Sequence, residues 1–261
     1  MSETRDPSMS TYTQPPLSGR VALVTGGSLG IGTAIVRDLA IAGADLAFTY
    51  RSHADEAQAL AKEIEALGRR ALPIQADVAS FDRAHQVVAE VLESLGRLDI
   101  LVNNAGRNWD SVIWKMTEEQ WDQVIAVDLK GTFNYIRAVA GRFKEQNGGK
   151  IVNITSINGL RGKFGQSNYT AAKGGAIALT KTVARELGKF GVNVNAVAPG
   201  LIETSMVQQA PQQVRDLALA EILLGRLGQP EEVAWVVTFL CTDRARHITG
   251  EVISVDGGQY L

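Results

Sequence analysis

Arg20-Val21-Ala22-Leu23-Val24-Thr25-Gly26-Gly27-Ser28-Leu29-Gly30-Ile31-Gly32 is a short β-rich run that ends in glycines. A helical pattern over residues 31–42 follows it directly. Glycines at such a junction let the backbone turn tightly and come close to a pyrophosphate seated at the helix N-terminus. An ordinary strand-to-helix turn is the plainer reading. Position argues against it, because the loop closes the first strand and opens the first helix. Gly26, Ser28, Leu29, Gly30 and Ile31 are therefore candidate nucleotide-binding residues.

The alternation continues outward from this loop. Strands are expected at 20–25, 45–50, 71–75, 98–102, 150–155, 192–197 and 252–255. Helices are expected at 31–42, 54–67, 81–95, 118–144, 167–190 and 230–241, with Gly68 as a stop signal for the second. Strands alternating with helices of this length imply βαβ units and a parallel sheet. There is no internal repeat, linker or break in composition. The expected architecture is one doubly wound, Rossmann-type α/β domain over residues 19–261, with about seven parallel strands and helices on both faces. Residues 1–18 are polar, contain Pro7, Pro15 and Pro16, and lack an apolar h-region. They read as a disordered lead-in rather than a signal peptide, with Met9 as an alternative start.

Composition narrows the class. The chain is 45% hydrophobic and 21% charged, with a net charge of −2, as in a soluble globular protein. No basic stripe suggests a nucleic-acid partner. No run approaches the length of a membrane span, so a cytoplasmic protein is expected. Cys241 is the single cysteine and lies in an apolar run, as a buried core thiol would. His53, His85 and His247 lack ligand spacing, and no metal site is expected.

Tyr169 and Lys173 stand four residues apart in Ser167-Asn168-Tyr169-Thr170-Ala171-Ala172-Lys173, with Ser156 thirteen residues before the tyrosine. Positions i and i+4 share a helix face, so an ammonium lies beside a phenol. The alternative is a surface tyrosine and a solvated lysine. Together with the G-x-x-x-G-x-G loop, the pair resembles the short-chain dehydrogenase/reductase family. Further matches follow in order: Asp77-Val78, Asn103-Asn104-Ala105-Gly106, Ser156 and Pro199-Gly200. The resemblance spans roughly residues 18–261 and implies a nicotinamide-dependent oxidoreductase. It assigns Tyr169 as general acid, Lys173 as the residue that lowers its pKa and binds the nicotinamide ribose, and Ser156 as the residue that orients the substrate.

Hydride transfer to a ketone leaves charge on oxygen, which a donor must neutralise. A free tyrosine with a pKa of about 10 is sluggish at neutral pH. A nearby ammonium favours the phenolate, and the first helical turn favours an anion. One position departs from the family pattern. An asparagine usually orders a water behind the lysine, whereas Val127-Asp128-Leu129-Lys130-Gly131 places Asp128 there. Aspartate accepts hydrogen bonds and can pair with Lys173 through water, but it donates only when protonated. Asp128 is expected to serve the same relay.

An acidic residue about 20 positions past the glycines would bind the ribose 2′-OH and repel a 2′-phosphate. Here that place holds Tyr50, followed by Arg51 and Ser52. Arg51 can pair with a 2′-phosphate, with Ser28 and Ser52 as neutral donors; as a plain loop residue it would be solvated. NADP(H) is preferred over NAD(H). By resemblance, Asp77 and Val78 frame the adenine. Asn104, Ala105 and Gly106 line the adenosine ribose side, and Pro199, Gly200, Ile202 and Thr204 hold the nicotinamide end.

Residues 201–206 and 225–234 are similar to the same segments of 3-oxoacyl-[acyl-carrier-protein] reductases. Between them there is room for one or two small lid helices. The expected reaction is NADPH-dependent reduction of a 3-oxoacyl thioester in fatty acid biosynthesis. A dehydrogenase of sugars, polyols or other secondary alcohols is the alternative, and a silent nucleotide-binding scaffold is another. Trp109, Val112, Ile113 and Trp114 stand as pocket-mouth, core or subunit-contact residues. An acidic carrier protein would need basic neighbours, for which Lys144, Lys150, Arg161, Lys163 and Lys189 are candidates, if they are not simply solvated. Family members usually form tetramers through the fourth and fifth long helices, and a homotetramer is expected.

Overall fold

The computed structural model describes residues 14–208 and 212–261. In chain order its elements begin with β1 (Val21–Val24), α1 (Gly30–Ile41), β2 (Asp45–Tyr50), α2 (Ala54–Ala66), β3 (Ala71–Gln75), α3 (Phe81–Leu95) and β4 (Ile100–Asn103). There follow α4 (Glu118–Ile125), a π-helical segment (Ala126–Lys130), α5 (Gly131–Glu145), β5 (Gly149–Ile154), α6 (Asn158–Arg161), α7 (Ser167–Leu187) and β6 (Val192–Pro199). The chain closes with α8 (Ser205–Gln208), α9 (Gln212–Ala220), α10 (Pro230–Cys241) and β7 (Val252–Val255). The seven strands form one sheet in the order β3-β2-β1-β4-β5-β6-β7, and every pairing is parallel. This is the expected doubly wound α/β domain.

A strand buried on both faces needs apolar residues at every position, and β1 shows how they divide. Ala22 and Val24 pack with Ile35 and Leu39 of α1 and Val233 and Val237 of α10. Val21 and Leu23 pack on the other face with Val87 of α3, Tyr135 and Phe143 of α5 and Val183 of α7. Cys241 is buried in the first cluster, where burial pushes its thiol up to about 12 and keeps it inert. The order reverses between β1 and β4. A crevice opens there beyond the strand ends, where doubly wound sheets take ligands.

Residues 1–13 of the lead-in lie outside the described residues. Leu17 does not behave as lead-in: it is 1% exposed within the first core cluster, and its N–H donates to Ala42 O at 2.8 Å. The long helix expected over 118–144 is not one α-helix. Gly131 N–H reaches back five residues to Ala126 O, which inserts the π turn. The expected lid helices correspond to α8 and α9.

Candidate active site

The glycine loop is built for close approach. Gly26 has φ +64°, and a Cβ there would lie 2.9 Å from Ala105 Cα. A Cβ on Gly32 would strike the Gly26 carbonyl oxygen. Asn104 Nδ2 donates to Thr25 O at 3.1 Å and Gly26 O at 2.9 Å, so the β4 loop clamps the β1 loop. Thr25 Oγ1 accepts from the N–H groups of Asn104 (3.0 Å) and Ala105 (3.1 Å). Thr49 holds the other side, accepting from Gly26 N–H on its hydroxyl and from Gly27 N–H on its carbonyl. No side chain caps the start of α1, and no acid stands in its first turn. Its first N–H groups are free for an anion. This cradle fits the pyrophosphate of a dinucleotide.

The flanks of the crevice follow the same logic. Tyr50, Arg51 and Ser52 lie at the C-terminal end of β2, with Arg51 and Ser52 exposed. Asp77 is exposed and folds back on Ala79 N–H at 2.9 Å. Val78 is buried against α5: its carbonyl accepts from Asn134 Nδ2 at 2.9 Å, and a Cβ on Gly131 would meet its methyl at 2.9 Å. Beyond β6, Ile202 is buried and bridges to Gly228, and Thr204 stands over Gly30. Pro199 ends β6, and a Cβ on Gly200 would run into Asp256 and Gln259.

Between these flanks lie four side chains from three regions. Ser156 follows β5 and is buried, with its Oγ accepting from Asn158 N–H at 3.1 Å. Tyr169 sits in the first turn of α7, where its N–H donates to Asn168 Oδ1 at 2.8 Å. Lys173, one turn on, is 4% exposed; its ammonium lies 5.5 Å from the centre of the Tyr169 ring and donates to Ile154 O at 3.1 Å. Asp128 is 0% exposed within the π segment. Its Oδ1 pairs with Lys173 Nζ at 3.1 Å, and its Oδ2 accepts from Arg107 N–H at 2.9 Å. Gly106 leaves the space: a Cβ there would stand 2.8 Å from Asp128 Oδ1.

Two expectations change. Asp128 meets Lys173 directly rather than through water, because the π turn carries the carboxylate inward to the β4 loop. The tyrosine is not driven toward phenolate in this structure. Burial raises its pKa, and the Asp128 charge opposes the lowering by Lys173. Burial also raises the Asp128 carboxyl, against Lys173 and the Arg107 N–H. Burial lowers Lys173, but Asp128 and Tyr169 outweigh it and hold the ammonium above its usual value. Within the pair, lysine keeps its charge and aspartate is the first to take up a proton as pH falls. A partly buried phenol, an adjacent ammonium and a serine hydroxyl are groups with which a proton can be moved to or from an oxygen held between them.

The sequence profile of a family described as enoyl-(acyl carrier protein) reductase matches residues 26–259. The chain is 45% identical over 240 residues to the 3-oxoacyl-[acyl-carrier-protein] reductase FabG of Staphylococcus epidermidis, covering 92% of this chain and 98% of that protein. It is 44% identical to FabG of Thermotoga maritima, over 94% of this chain and 99% of that protein. It is 45% identical to the acetoacetyl-CoA reductase of Rhizobium meliloti, over 93% and 99%. The chain belongs to the short-chain dehydrogenase/reductase family. It is an NAD(P)-dependent oxidoreductase.

Around this short-chain reductase core, the mouth differs in part from what the sequence suggested. Ile113 and Trp114 are 62% and 71% exposed, which removes the core reading for both. Lys150 is the second residue of β5, at the opposite edge of the sheet from the site. Lys144 and Lys189 lie over the Phe190 ring, beyond the C-terminal end of α7, and that end points away from the mouth. None of these three lines the mouth. Arg161 does, but it is held by Glu221 at 2.9 Å and donates to Gln259 O at 3.0 Å. Gln259 in turn bonds Glu221 and accepts from Leu201 N–H. This latch joins the β5 loop, the end of the lid and the C-terminal residues.

Sequence reasoning did not assign Thr25, Thr49, Arg107 or Asn168. Asn168 Nδ2 donates to Trp109 O and Gln120 O, which ties the tyrosine's turn to the β4 loop. Its place beside Tyr169 was the one available signal.

The Asp128 shift sets a sign for stability against pH. A carboxyl raised on folding binds its proton more tightly in the native state, so its contribution favours the native state at low pH. That contribution is lost as pH rises from the ordinary carboxylate value of 3.8 through the folded pKa. The stability of the natural protein relative to Asp128→Asn should therefore fall across that window in urea unfolding at a series of pH values. A flat difference would show that the carboxyl is not raised.

Proposed function

We propose that this chain is a cytoplasmic, NADPH-dependent reductase that converts a 3-oxoacyl thioester to its secondary alcohol, with Tyr169 as proton donor. The observation that carries the reading is the convergence of Ser156, Tyr169 and Lys173 beside the glycine cradle, with the lysine buried against Asp128. The substrate class rests on the relatives, whose names denote a 3-oxoacyl thioester on acyl carrier protein or on coenzyme A. Acyl carrier protein is the proposed carrier. The enoyl description of the family profile denotes a different reducible bond, and the full-length relatives favour the ketone.

The nicotinamide, when bound, supplies the hydride. The chain supplies the rest. Ser156 Oγ hydrogen-bonds the carbonyl oxygen and holds it toward the phenol. Burial keeps Tyr169 protonated until charge appears on that oxygen, and its proton then passes to it. The phenolate that remains is stabilised by the Lys173 ammonium, which Asp128 keeps charged. Asp128 needs only to accept in this arrangement, so replacing the usual amide preserves the support behind the lysine. Exposed Phe133 of α5 and exposed Trp235 and Phe239 of α10 favour a homotetramer.

Tyr169→Phe should lower turnover of acetoacetyl-CoA by about 10²- to 10⁴-fold while cofactor binding by fluorescence is retained. Unchanged turnover would refute the mechanism, and good turnover of a polyol but none of the thioester would refute the substrate class. Arg51→Ala should weaken NADPH about 10- to 100-fold and leave NADH nearly unchanged, because one charge-assisted contact is lost. Equal losses would remove Arg51 from cofactor choice. Light scattering should give the tetramer mass; a monomer would reject the assembly.

A further inference from the structure

A cleft of about 1110 Å³ opens at the other edge of the sheet, where the strands begin. Lys150 is the second residue of β5 and Ser156 follows its end, so about 20 Å of chain separates the cleft from the catalytic centre. Five cations line the cleft: Arg20, Arg97, Arg142, Lys150 and Arg246. Only two carboxylates, Asp99 and Asp243, face them. Asp99 is already paired with Arg20 and Arg97. No carboxylate among the described residues forms an ion pair with Arg142, Lys150 or Arg246.

Cations at this edge have an ordinary use, because helix C-termini end here and favour positive charge. That accounts for Arg142 in the last turn of α5. It does not account for Lys150, which lies on a strand. Its ammonium is half-buried and donates to the neutral Asn193 Oδ1 at 2.7 Å. The charge of Asp243 acts on this ammonium without forming an ion pair, so Lys150 keeps capacity for a further anion. The unpaired cations come from three elements: α5, β5 and the segment after α10. A single small anion would meet one of them, whereas a chain of phosphates can meet all three. The volume suits a molecule of nucleotide size.

We propose that this cleft is a second ligand site, for a small organic polyphosphate, separate from the glycine-loop cradle. Arg142, Lys150 and Arg246 bind its phosphates, and Asp243 limits the affinity by standing against them. The proposal does not depend on which ketone the enzyme reduces.

The probe is inorganic tripolyphosphate, titrated calorimetrically into protein saturated with nicotinamide cofactor, so that the glycine loop is occupied. Saturable binding of one equivalent per chain is expected. Lys150→Gln and Arg246→Gln should each weaken it about tenfold, and Asp243→Asn should tighten it several-fold. Arg246 is exposed, so that variant reads the site without disturbing the core. Tyr169→Phe should bind the probe as the natural protein does. No saturable heat, or affinities unchanged in both cation variants, would overturn the site. Orthophosphate binding as tightly as tripolyphosphate would overturn the ligand class.

Discussion

An ammonium and a carboxylate are held 3.1 Å apart, almost wholly out of water, by the β4 loop, β5, the π turn and α7. Desolvating both charges costs several kcal/mol per ion, of order that size in real proteins, and only good geometry recovers it. Here β5 contributes the Ile154 carbonyl to the ammonium, and the β4 loop contributes the Arg107 N–H to the carboxylate. The π turn aims Asp128, α7 aims Lys173, and Gly106 leaves room for both. Removing one partner would strand the other charge in a dry site. The pair is thus a constraint on how β4, β5, α5 and α7 pack.

The parallel sheet makes that constraint useful. Every strand runs the same way, so Thr25, Asn104, Ser156 and Pro199 all emerge at one edge. A line of buried amides stiffens the centre of it: Asn103 Nδ2 donates to Asn153 Oδ1, and Asn153 Nδ2 donates to Thr180 Oγ1 on α7. The cradle and the cluster of Ser156, Tyr169 and Lys173 therefore share one rigid base. The lid residues are tied differently, through Arg161, Glu221 and Gln259, by polar contacts that lie nearer the surface.

The sheet was legible because it depends on short-range patterns. β2, β3, α3, α10 and β7 begin and end where alternation and stop signals place them. The glycine loop and the Tyr169–Lys173 spacing were legible for the same reason. The π turn was not, since residues 118–144 carry a continuous helical pattern and the extra residue answers to contacts with Val78 and Lys173. The direction of the Tyr169 shift was hidden too. A phenol beside an ammonium reads as acidified, and only burial together with the second charge, Asp128, reverses it. Lys150 had been grouped with the mouth cations, although strand position alone sets it at the far edge.

The π turn also governs what changes of chain length this enzyme can absorb. Successive residues on an α-helix are about 100° apart. Deleting a single residue between Ala126 and Lys130 would restore regular winding and swing the Asp128 side chain away by that angle. Alternatively, it would rotate α5 against Val78 and the sheet. Loops at the surface can gain or lose residues with little consequence. This stretch lies inside an uninterrupted helix, yet its length is as fixed as any catalytic side chain, and gaps in its lineage should avoid it.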